Sequence, residues 1–102
     1  MALEEVHIGD IGTALRLVVE EDGAVVDVST ASAKLIILKK PHGTRVEKTA
    51  SFTTDGTDGK IQYATISGDI DEAGTWQYQG KVTIGSNVWY TEIAEFEVFE
   101  NL

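Results

Sequence analysis

The 102-residue chain has no cysteine. Disulfides, thiolate zinc sites, iron–sulfur clusters and cysteine nucleophiles are thereby excluded, and the fold must be held by packing alone. Base is also scarce: eight Lys plus Arg against seventeen Asp plus Glu give a net charge of -9 and a pI near 4.5. A nucleic-acid binder needs a cationic footprint to displace counterions from phosphates, and anionic lipid headgroups attract the same sign, so neither nucleic acid nor membrane is an expected partner. Long apolar runs are missing too, since a spanning helix needs about 20 such residues. The longest here is four residues, Leu35, Ile36, Ile37 and Leu38. The opening Met1, Ala2, Leu3, Glu4 and Glu5 carry acid where a secretory leader carries base, which predicts an intracellular product.

What is present suffices for one core. With 42% apolar residues against 25% charged, the chain is expected to fold as a single domain over residues 1–102. Turn residues break it at short intervals: Gly9-Asp10, Asp22-Gly23, Pro41-His42-Gly43, Asp55-Gly56-Thr57-Asp58-Gly59, Gly68-Asp69 and Gly85-Ser86-Asn87. Between them lie strand-length runs rich in Val, Ile, Thr and aromatics. This pattern predicts an all-β fold, an immunoglobulin-like antiparallel β-sandwich of about seven strands with no disulfide. A small closed barrel is the alternative.

Alternation assigns the faces. Leu15, Leu17 and Val19 share one parity, which marks a half-buried strand. The run over residues 34–40 is continuously apolar between lysines, which predicts a strand covered on both faces at its middle. Pro41 to Thr44 should turn the chain back into a strand over 45–54, with Val46, Ala50 and Phe52 on one side and Lys48 interrupting it, as at a sheet edge. Ile61 and Tyr63 fall together in the next strand, and residues 67–74 read as a single helical turn. Trp76, Tyr78, Gly80, Val82 and Ile84 then alternate with polar residues, and a hairpin at Gly85-Ser86-Asn87 leads into a last strand over 88–99. There Trp89, Thr91 and Ile93 have one parity but Ala94, Phe96 and Val98 the other, which predicts a β-bulge near Ile93 and Ala94.

Reactive groups are sparse. His7 and His42 are the only histidines, with no nucleophile motif around either. The segment from Asp55 to Asp58 fails as an EF-hand, because the third, fifth and twelfth positions hold Thr57, Gly59 and Ile66. Asp69, Asp71 and Glu72 could hold a cation, but capping and the local dipole of a short helical turn are the preferred account of acids there. A domain this small is expected to leave little room for a ligand pocket of about 300 Å³ or more. No enzyme, metal or cofactor is therefore expected. Adjacent strand residues face opposite ways, so one of Trp89 and Tyr90 should lie exposed or at an interface. Phe99 shares parity with Glu95 and Glu97 and joins them as a candidate contact residue; the alternative buries Trp89 beside Trp76 and lets Phe99 cap one end.

Taken in order, Gly9-Asp10-Ile11-Gly12-Thr13, Val26-Asp27-Val28-Ser29, Lys40-Pro41-His42-Gly43-Thr44, Asp58-Gly59-Lys60 with Tyr63, Gly68-Asp69-Ile70 and Ala73-Gly74-Thr75-Trp76 form a distinctive series. The series resembles the immunoglobulin-like domains of tailed-phage structural proteins, most nearly the N-terminal domain of baseplate upper proteins. It spans residues 10–98, and its motifs are turn and packing signals. In such domains an Ala-Gly-Thr-aromatic segment begins a late core strand, which corresponds here to Ala73 to Trp76. The family's chains usually continue into domains with assembly or receptor contacts, whereas this sequence ends at Leu102. The resemblance implies a non-enzymatic phage or prophage virion component of tail or baseplate, made in the bacterial cytoplasm and incorporated into the virion. Its implied partners are other virion or tail proteins, or further copies of itself as a homo-oligomer. Two other readings stay open: a bacterial carbohydrate- or surface-binding module using Trp89 and Tyr90, and a regulator that mimics polyanions through its acidic surface.

Overall fold

Two-residue alternation between glycine-marked bends produces strands throughout the computed structural model, which describes residues 6–101. The acidic opening from Met1 to Glu5 lies outside the described residues. Among the described residues there is no helix, and 53% are in strands, so the fold is all-β. The strands are β1 (Val6–His7), β2 (Ala14–Val18), β3 (Glu20–Glu21), β4 (Ala24–Val25), β5 (Ala33–Lys39) and β6 (Arg45–Thr49). They continue with β7 (Ser51–Phe52), β8 (Lys60–Ala64), β9 (Gly74–Ile84), β10 (Asn87–Tyr90) and β11 (Ala94–Phe99). Six form one curled sheet in the order β1-β11-β9-β5-β6, with β10 also on β9; β2-β8-β7 form a second sheet, and β3-β4 a short ribbon.

β9 is the spine. β5 pairs along one edge, and β10 and β11 share the other in succession. Its inward residues Trp76, Tyr78 and Val82 are buried with Ile36 and Leu38 of β5 and Phe96 and Val98 of β11. They meet Leu15 and Leu17 of β2 and Ile61 of β8 in one core. The two sheets approach closely at Gly80, where a Cβ would lie 2.8 Å from Ile61 Cδ1 and 3.3 Å from Leu17 Cδ1. A side chain at Gly80 would therefore overpack the seam between them.

Among the described residues eleven short strands stand where about seven were expected, because long runs are broken at defined points. The run over 45–54 splits at Ala50: β6 is an edge of the six-stranded sheet, whereas β7 pairs with β8 in the other. Alternation continues across the break, so periodicity alone could not locate it. Ala50 is buried, with its N–H donated to Lys34 O at 2.9 Å, and the chain crosses from one sheet to the other there. The expected antiparallel scheme also has one exception, since β1 pairs parallel to β11 through Val6 with Val98 and His7 with Phe99.

The expected helical turn at 67–74 is absent. Gly68 and Gly74 have φ of 88° and 128°, outside the helical region, and the segment is instead a turn closed by Asp69 N–H to Ile66 O at 3.1 Å. The strand over 34–40 is covered on one face only: Ile36 and Leu38 are buried, while Leu35 and Ile37 are half-buried.

The parity change in the last run comes from one extra residue. Tyr90 pairs with Lys81 and Ala94 with Tyr78, so Thr91, Glu92 and Ile93 oppose only Gln79 and Gly80. The break spans 91–93, slightly earlier than the Ile93–Ala94 step expected from parity. Side chains complete the interrupted ladder: Gly80 N–H donates to Thr91 Oγ1 at 2.8 Å, and Gln79 Nε2 to Thr91 O at 2.9 Å. Thr91→Ala therefore removes the acceptor for a buried N–H and should cost about 1–3 kcal/mol. Thr91→Ser should recover most of that in urea unfolding, and equal loss in both variants would show that the hydroxyl is not responsible.

Candidate functional site

The acids are largely committed to internal partners. Asp27 accepts the hydroxyl and backbone N–H of Ser29, and Asp55 accepts those of Thr57. These bonds hold both carboxyls below the usual range. Asp58 accepts Lys60 N–H and the Thr54 hydroxyl. The loop they shape is anchored by Val28 N–H to Gly56 O and by Val19 N–H to Gly59 O. Space there is tight: a Cβ on Gly59, at φ 72°, would lie 2.8 Å from Val26 O and 2.9 Å from Val19 O. Gly68 has a similar φ of 88° but open surroundings. Gly68→Ala should thus cost about 1 kcal/mol for its left-handed backbone. Gly59→Ala should cost at least about 2 kcal/mol more for the added clash, a difference that paired urea titrations would measure.

Asp69 and Asp71 form ion pairs with the β5–β6 hairpin, and Glu72 a hydrogen bond. Lys48 Nζ lies 3.0 Å from Asp69, Lys40 Nζ 2.8 Å from Asp71, and His42 Nδ1 contacts Glu72. Asp69 is buried and also accepts Ile66 N–H at 2.8 Å and the Tyr63 hydroxyl at 2.5 Å. Lys48 interrupts the inward face of its strand because this carboxylate receives it. Among the described residues, no group of three or more acids and histidines is placed to hold a metal ion. The histidines lie far apart in role: His42 is exposed on the hairpin loop, and His7 packs its ring 6.0 Å from that of Phe99.

The three candidate contact residues separate. Trp89 is half-buried against the core, with its Nε1 3.3 Å from Glu21 Oε2. Tyr90 is 54% exposed on the opposite face of β10, and Phe99 is 44% exposed at the β1–β11 end. They do not form one patch. Tyr90 instead joins residues that sequence reasoning did not single out. On the outer face of the large sheet, register sets Tyr90, Lys81, Leu35 and Thr49 in one row, and Glu95, Gln77, Lys39 and Arg45 in another. Ile37 and Glu47 lie between the rows. Lys81 Nζ sits 6.0 Å from the Tyr90 ring centre.

This face carries an open groove of about 750 Å³, lined by Ile37, Lys39, Arg45, Gln77, Tyr90 and Ile93. A second groove of about 450 Å³ opens where the bulge parts the sheets, against Arg16, Lys60, Thr53 and Tyr78. Both exceed the expectation of little room, because they are surface hollows left by sheet curl and the bulge. Thr53, which lines the second groove, has its hydroxyl buried without a hydrogen-bond partner. Tyr90 and the apolar run from Leu35 to Leu38 were the sequence signals for the outer face. No family model matches this chain, and no curated protein matches it either.

Proposed function

We propose that the chain is a non-enzymatic structural module of a phage or prophage tail or baseplate, with an immunoglobulin-like β-sandwich as its scaffold. The observation that carries this reading is the ordered series of turn and packing motifs over residues 10–98. The placement of two of them supports it: Ala73 to Trp76 leads into β9, the central core strand, and Pro41 to Thr44 forms the β5–β6 hairpin loop. Commitment of the acids to turns and ion pairs also favours a scaffold role over chemistry. Unpaired strand edges and half-covered faces suit docking to neighbouring subunits.

The carbohydrate reading needs aromatic faces presented together, and Trp89 and Tyr90 lie on opposite faces of β10. Mass spectrometry of purified particles from a strain carrying the gene tests the proposal. Recovery of the chain in stoichiometric amount with tail proteins is expected. Its absence from particles, with no tail genes beside its own, would remove the reading.

A further inference from the structure

We infer that the outer face of the six-stranded sheet seats a second copy of this chain, about a two-fold axis running parallel to the strands between β9 and β5. A face-to-face homodimer of this type needs a self-complementary surface, in which residue i meets j and j meets i. The row Glu95, Gln77, Lys39 and Arg45 has that property, with acid on β11 at one end and base on β5 and β6 at the other. Rotation about that axis brings β11 of one copy over β6 of its partner, and β9 over β5. Each Glu95 then faces the Lys39–Arg45 pair across the interface. The same rotation sets Tyr90, 54% exposed, over Thr49, and Lys81 and Gln79 over the half-buried Leu35 and Ile37.

Charge selects this face among those available. The chain carries -9, so most surfaces of two copies repel. The outer face instead holds Lys39, Arg45 and Lys81 against Glu47, Glu95 and Glu97, three charges of each sign. Among the described residues none of the six takes part in an ion pair within the chain. The dimer also gives the four-residue apolar run the cover on its second face that its pattern calls for. This inference is independent of a role in virions, and absence from particles would leave its test unchanged.

Sedimentation equilibrium and light scattering, from low micromolar to near millimolar chain, provide that test. Wild type is expected at twice 11.1 kDa. Arg45→Glu alone, or Glu95→Arg alone, sets like charges opposite each other twice per dimer and should weaken association about tenfold or more. An equimolar mixture of the two variants pairs opposite charges at both positions and should restore the dimer. Both sites are exposed, and far-UV circular dichroism would verify that the variants keep the fold. A wild type monomeric at every concentration overturns the inference and leaves the face to a different protein. So does a dimer insensitive to either reversal, or a mixture that fails to recover.

Discussion

Trp76→Ala is expected to lower the unfolding free energy by about 3–5 kcal/mol, the range for truncating a buried aromatic. Against the 5–15 kcal/mol typical of a domain, that is a large fraction of the total. The ring is wholly inaccessible and stacks on Phe96 at 5.8 Å. Lys40 Nζ lies 5.8 Å from its centre, and its Nε1 donates to Glu72 O at 3.0 Å. Truncation therefore opens a cavity in the spine of the large sheet and frees the 66–73 segment from one of its ties. Trp76→Phe keeps most of the volume but orphans the Glu72 carbonyl, and should cost about 1–2 kcal/mol. Urea unfolding followed by circular dichroism would measure both. A midpoint unmoved by Trp76→Ala would mean that the core is not organised around this ring.

The second large effect is expected at Asp69. Asp69→Ala leaves Lys48 Nζ, the Tyr63 hydroxyl and Ile66 N–H without their shared acceptor, at a cost of about 3 kcal/mol. Asp69→Asn keeps an acceptor and should lose less. Burial alone would raise the Asp69 carboxyl, but the Ile66 N–H, the Tyr63 hydroxyl and Lys48 outweigh it and bring the group below its ordinary 3.8. Its stabilising contribution is thus complete above about pH 4 and is lost as pH falls through the lowered folded value. Tyr63 moves oppositely, pushed up to about 12 by burial and then by its bond to Asp69. That contribution is complete below the ordinary 10.0 and lost as pH rises toward 12. The gap in stability between wild type and Asp69→Ala should therefore be widest between these limits and narrow at both ends. A gap constant from pH 2 to 7 would show that the carboxylate's charge is not involved.

Local pattern made much of this fold legible. Leu15, Leu17 and Val19, and the inward series from Trp76 to Ile84, followed period two because one face of each strand meets the core and the other meets water. The inserted residue before Ala94 was legible for the same reason, since a parity change has few physical causes. Events with a distant cause were not legible. Lys48 points inward because Asp69, far along the chain, receives it, and the sheet exchange at Ala50 leaves the alternation intact. Acids at 69–72 suggested a helix cap, whereas their partners lie on a hairpin that only the tertiary fold brings near. The charge pattern of the outer face was not legible because it gathers from four strands.

The parallel pairing of β1 with β11 has a mechanical consequence. Because the first and last strands run the same way, tension on the flanking chain slides them lengthwise past each other. Their hydrogen bonds, with Ile8 N–H to Phe99 O and Asn101 Nδ2 to Ile8 O beside them, are strained together instead of opening one after another. A domain clasped in this manner yields to pulling at its ends later than one whose terminal strands peel apart, and single-molecule stretching would read the difference as rupture force.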